Sequence, residues 1–173
     1  MERPEPCKTL FEFMNDEGQG KLQEPLAKII FRQIVEAIIH CLSRGIFHTD
    51  IKLENILIQK TTYQVKLIDF GCAIYEETDR AELIGDQNCF PPEFFLADTF
   101  VVEPANVWAL GVNLFYLVCG HLPFRNTEQL VSGIFHIQKG LSRECESLIR
   151  HCLAFKEDDR PTPEEILLHP WLD

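Results

Sequence analysis

Two short apolar runs, one opened by a carboxamide and the other closed by a carboxylate, constrain this chain more than any other feature. Asn55 leads into Ile56-Leu57-Ile58, polar residues fill 59–64, and Val65-Lys66-Leu67-Ile68 ends on Asp69. Such runs around a polar turn predict a β-hairpin. Paired strands lie about 5 Å apart, so the hairpin returns the chain and sets Asp69 beside Asn55. A carboxylate and an amide oxygen then converge. Magnesium takes few protein oxygens and leaves its other positions to water and phosphates, so it suits this sparse pair. Asp50 shares the loop that ends at Asn55. A carboxylate there can orient a hydroxyl and accept its proton, while Lys52 offers positive charge to the oxygens of a group in transfer. The reading is a phosphoryl-transfer site with Asp50 and Lys52 as catalytic residues and Asn55 and Asp69 as metal ligands.

The rest of the chain reads as helix. Over residues 26–43 a polar stripe of Lys28, Arg32, Glu36 and His40 recurs every four positions, with Ile29, Ile30, Ile34, Ala37, Ile38 and Cys41 around it, which predicts a mostly buried helix. Residues 107–119 are apolar but for Asn113 and a glycine; as a run of 13 they fall short of a membrane span and predict a core helix. Shorter helices are expected at 142–153 and 163–169, the second with Thr162 before Pro163 and two glutamates. The stretch between Cys72 and Phe90 reads as irregular. No repeat or linker divides the chain, so one domain is expected.

A chain of 173 residues with 46% apolar content can bury a substantial core. A formal charge of −11 argues against nonspecific nucleic-acid binding and favours cationic protein partners. Seven cysteines, an odd number without a Cys-x-x-Cys pair, suggest packed thiols in the cytoplasm or nucleus. His40-Cys41 and His151-Cys152 do not suit zinc, because adjacent helical side chains diverge. No membrane segment or signal peptide is expected.

His48-Thr49-Asp50, Asn55 five positions after the aspartate, and Asp69-Phe70-Gly71 together resemble the catalytic and metal-binding loops of eukaryotic protein kinases. Lys52 resembles the serine/threonine branch. Pro91-Pro92-Glu93, Trp108-Ala109-Leu110-Gly111 and Asp159-Arg160-Pro161 follow in the family's order. Glu2-Arg3-Pro4-Glu5-Pro6 with Leu10-Phe11-Glu12-Phe13, Val118-Cys119-Gly120 through Pro123-Phe124, and His169-Pro170-Trp171 are similar to Pim-type members. The resemblance covers the whole chain, with residues 1–6 as hinge, 46–55 as catalytic loop and 69–93 as activation segment. It implies a mainly α C-terminal lobe carrying a small β-hairpin. No glycine-rich loop, strand lysine or partner glutamate of the N-terminal β lobe occurs in these residues, so that lobe is expected to be absent.

The resemblance further implies ATP and Mg2+ as cofactors, Glu2, Glu54, Leu57 and Ile68 as nucleotide-binding residues, and a structural ion pair between Glu93 and Arg160. Glu12 and Glu54 imply basic, arginine-rich protein substrates. Four positions depart from the family. Thr49 stands where an arginine usually receives an activation-segment phosphate, so no phosphate switch at Thr78 is expected. Asp86 replaces a threonine and is expected to repel Asp50 or capture Lys52. Cys89 and Phe90 replace a polar pair, and Asn106 an aspartate. The chain alone is expected to be inactive, with an exposed interlobe face that a partner covers; the alternative is a noncatalytic protein-binding module.

Overall fold

A computed structural model describes residues 7–16, 20–75, 85–97 and 101–173. In chain order its elements are β1 (Cys7–Thr9), α1 (Leu10–Asp16), α2 (Glu24–Leu42), β2 (Ile46–Phe47), β3 (Ile56–Gln59), β4 (Val65–Leu67), β5 (Ile74–Tyr75), α3 (Pro92–Ala97), α4 (Val102–Cys119), α5 (Thr127–Ser132), α6 (Arg143–Cys152) and α7 (Pro163–Leu167). Helix predominates among the described residues. The expected hinge at 1–6, with Glu2, lies outside them, and so does Thr78.

The hairpin forms in the register that its alternation requires. Ile56 faces Leu67 and Ile58 faces Val65 across β3 and β4, and β1 pairs with the other edge of β3. Ile56 and Ile58 point into the core while Leu57 is half-buried. Helix α2 pins the turn: Gln33 Nε2 donates to the Tyr63 carbonyl at 2.9 Å and Gln33 Oε1 accepts from Val65 N–H at 3.1 Å. A reciprocal cap joins β1 to α1, with Glu12 N–H donating to Thr9 Oγ1 and Thr9 N–H to the Glu12 carboxylate.

Helix α2 buries Ala27, Ile30, Phe31, Ile34, Val35 and Ile38; of the anticipated polar stripe Glu36 and His40 face outward, whereas Lys28 and Arg32 are half-buried against Trp171 and the Leu172 carbonyl. Ile29 is a correction, being 52% exposed rather than covered. It lies three and four residues before Arg32 and Gln33 and so shares their side of the helix. Helix α4 is the centre of the core. It starts five residues earlier than anticipated because Pro104 sits in its first turn, where a missing N–H costs nothing. Its 18 residues are long and apolar enough for a span, so the length argument does not hold; the helix is instead 78% buried within the fold. Gly111 brings α4 against α6: a Cβ there would lie 2.7 Å from Cys152 Cβ.

The C-terminal elements are tied by their caps. Ser142 caps α6, Thr162 and Glu165 form a capping box on α7, and His169 Nδ1 caps the turn Pro170–Leu172 by accepting from Trp171 N–H. Glu24, at the start of α2, joins two of these pieces to that helix. Its carboxylate accepts from Ser142 N–H at 2.7 Å, Ser142 Oγ–H at 2.6 Å and Trp171 Nε1–H at 2.8 Å.

Candidate active site

Helix α4 holds the loop 48–55 from below. Asn113, buried in that helix, donates to the Ile51 carbonyl at 2.8 Å, and Ile51 is itself wholly buried. On the other side, β2 pairs with β5, which fixes the segment after Asp69 against the one before Asp50. These two-residue strands follow no visible apolar pattern, and β5 interrupts the stretch expected to be irregular.

Asp50 is the electrostatic centre. Its Oδ2 accepts from Asn55 Nδ2 at 2.7 Å and pairs with Lys52 Nζ at 3.0 Å. Its Oδ1 accepts from Asp86 N–H at 2.9 Å. Burial alone would raise this carboxyl, but the hydrogen bonds from Lys52 and from the Asp86 backbone, with the Lys52 charge, outweigh it and hold Asp50 below its ordinary value. Asp50 is therefore an ionised acceptor at neutral pH, better suited to orienting a hydroxyl than to removing its proton early. Burial likewise lowers the Lys52 ammonium, yet Asp50 reverses this and raises it.

Asn55 and Asp69 meet through the hairpin. Ile68 N–H donates to the Asn55 carbonyl at 2.9 Å, which brings Asp69 one residue beyond that contact. Asn55 Nδ2 faces two acceptors, the Asp50 carbonyl and carboxylate. The amide orientation is thereby fixed, and Oδ1 is the atom left for another ligand. Asp69 adopts a left-handed conformation with φ 60°, and its Oδ1 takes the Gly71 N–H at 3.3 Å. Its carboxylate is exposed. Among the described residues no three His, Cys, Asp or Glu side chains group to hold a metal. Two hard oxygen donors, one neutral and one anionic, fit a magnesium ion that arrives with phosphate oxygens.

His48 braces this turn. Its Nε2–H donates to the Ile68 carbonyl at 2.9 Å and its ring meets Phe70 edge-on at 4.8 Å. Burial pushes its imidazole below the usual value, so it is neutral there. Thr49 has φ 57°, unusual for a β-branched residue, and its hydroxyl donates to the Cys72 carbonyl at 2.6 Å. A neutral tether thus joins the two loops where the family pattern has a guanidinium.

The Asp86 expectation is corrected. Its carboxylate turns back to cap the turn Gln87–Cys89, accepting from Asn88 N–H at 2.9 Å and Nδ2–H at 2.8 Å, while Lys52 stays with Asp50. Only its backbone touches Asp50. Gly85 allows this approach, since a Cβ there would lie 3.0 Å from Asp50 Oδ1. Cys89 is buried and its thiol is pushed up to about 12 by that burial. The Glu93–Arg160 pair forms as two parallel contacts of 2.7 Å. Arg160 also reaches the Pro104, Ala154 and Phe155 carbonyls and lies 4.9 Å from the centre of the buried Trp108 ring.

Asp50, Lys52 and Asn55 are thus in direct contact, and Asp69 joins them through the backbone. Ile68 is half-buried, held by Asn55 and His48, and Leu57 is half-buried on β3. Glu54 is exposed and stands apart from these contacts. Thr49, Gly85 and Asn113 escaped the sequence reading as site builders. Only the Asp86-Gln87-Asn88 run carried a usable signal, that of an Asx turn.

Residues 2–172 match the family profile described as protein kinase domain. Serine/threonine-protein kinase pim-2 of Danio rerio is 40% identical over 172 residues, covering 99% of this chain and 55% of that protein. Serine/threonine-protein kinase prk-2 of Caenorhabditis elegans is 38% identical over 177 residues, with 99% and 40% covered. Putative sperm motility kinase W of Mus musculus is 35% identical over 175 residues, with 96% and 34% covered. The chain spans about half or less of the length of these curated relatives.

Proposed function

The chain belongs to the protein kinase family, and on that premise we propose that it is the C-terminal lobe of a Pim-type serine/threonine kinase. Residues 46–55 act as catalytic loop and 69–93 as activation segment. Asp50 orients the substrate hydroxyl and accepts its proton late, Lys52 neutralises phosphate oxygen charge, and Asn55 Oδ1 with the Asp69 carboxylate would hold magnesium. When bound, Mg-ATP supplies the γ-phosphoryl group and a metal that neutralises its developing charge. Leu57 and Ile68 offer apolar contact to adenine, with Glu2 as a backbone contact. The observation that carries this reading is the Asp50–Lys52–Asn55 contact set beside the Asp69 turn.

Basic substrates suit the exposed Glu54 better than Glu12, whose carboxylate already caps α1. A partner covering the nucleotide-facing side would bury Phe70, which is 39% exposed. Phosphoryl transfer depends on positioning both ends of the nucleotide, and these 173 residues contain no glycine-rich loop. The chain alone therefore transfers no phosphate above background.

Calorimetric titration of Mg-ATP, run beside a phosphate-transfer assay on an arginine-rich serine peptide, tests the proposal. We expect magnesium-dependent nucleotide binding that Asp69→Asn abolishes, without turnover. Binding indifferent to both magnesium and Asp69→Asn would overturn the site. Turnover lost in Asp69→Asn would support the site and overturn the inactivity.

A further inference from the structure

The loop after α4 and the residues following α5 enclose a groove of about 400 Å³ on a face whose residues the proposed chemistry leaves unused. That size falls within the range of roughly 300–1,000 Å³ that ligand sites occupy. Its lining combines apolar Leu122, Pro123, Ile134 and Phe135 with one cation, Arg125, flanked by the imidazoles of His121 and His136. No aspartate or glutamate lines it, although the chain carries 27 acidic against 16 Lys and Arg residues.

The floor is rigid. Phe135 packs edge-on against Phe115 at 6.0 Å and Phe124 at 5.5 Å, and Phe124 stacks on Trp108 at 5.6 Å. His121 is held through the Leu122 carbonyl and Gln138. Ile134 is 66% exposed at the rim. Among the described residues no carboxylate forms a salt bridge with Arg125. Such an edge offers a seat for one apolar side chain and a cation for a carboxylate next to it.

We propose that this groove docks a linear segment of a partner protein in which an apolar residue is flanked by Asp or Glu. Charge complementarity selects this occupant. Charges separated by more than about 8–10 Å are screened at physiological salt, so the Arg125 cation, in a lining without a carboxylate, outweighs the distant net charge.

Selection from a random peptide display library against the folded chain, followed by calorimetry on synthesised winners, tests the proposal. We expect enrichment of acidic residues beside an apolar one, and affinity reduced at least about tenfold in both Arg125→Glu and Ile134→Asp. Both sites are surface positions, and unchanged thermal melting confirms intact folding. Lys156→Glu, the same charge change outside the groove, should leave affinity within about twofold. Absence of enrichment, basic winners, or equal weakening by Lys156→Glu would each overturn the proposal. So would a sedimentation dimer that Ile134→Asp dissolves, which assigns the groove to a second copy. These readouts need no catalysis, so they stand or fall apart from the kinase reading.

Discussion

Thr49 shows how much a single residue contributes that its spacing does not reveal. Left-handed backbone at a β-branched residue costs about 1–3 kcal/mol and persists only where its surroundings impose it. Here the imposition is the 2.6 Å bond to the Cys72 carbonyl. Thr49→Val should lose about 1–2 kcal/mol in urea unfolding, because the Cys72 carbonyl is left without its donor, whereas Thr49→Ser should recover most of it. Equal loss in both variants would assign the effect to packing. Arg160 acts on the same scale, with a side chain that is 0% exposed against a Glu93 side chain that is 17% exposed. Removing one partner of a buried pair costs about 3–5 kcal/mol, so Arg160→Leu should lower stability by that amount, again read by urea unfolding. The proximity of Asp50 to Asn55 was legible from their spacing in one loop, and the Glu93–Arg160 pair from the family resemblance. The φ angle of Thr49 and the close approach of Gly85 to Asp50 were not, since both depend on a neighbour far along the chain.

At the scale of elements, long periodic segments were legible and short ones were not. Helix α2 departs from its expected bounds by a residue or two, and the hairpin forms where expected, with Asn55 bonded to Ile68, the neighbour of Asp69. Strands β2 and β5 hold two residues each and exist because they pair with one another. Glu24 links helices that no local pattern connects. Burial raises its carboxyl, but the Ser142 and Trp171 hydrogen bonds prevail and hold it below its ordinary value. Its folded pKa is thus below its unfolded one, so its contribution is full above about pH 4.3 and is lost as pH falls through the folded value. Glu24→Gln should lower stability by about 1–2 kcal/mol at pH 7 and flatten the loss of stability below about pH 4.3. A pH series of urea unfolding curves checks this, and parallel acid profiles in both proteins would contradict it.

At the scale of the molecule, α4 carries the loop with Asp50 on Asn113, the hairpin carries Asp69 to Asn55, and Arg160 joins the end of the activation segment to the core. One side of this body holds oxygen donors, while a groove elsewhere is apolar with one cation, Arg125, in its lining. The central claim is that Asn55 and Asp69 serve one divalent cation beside Asp50. Manganese, a paramagnetic substitute for magnesium, broadens amide resonances close to where it binds, so titrating Mn-ADP into the isotope-labelled chain tests that claim directly. The account predicts selective loss of the Asp50, Asn55, Ile68 and Asp69 amide signals, abolished by Asp69→Asn. Broadening that spares these residues, or that survives the substitution unchanged, would contradict it.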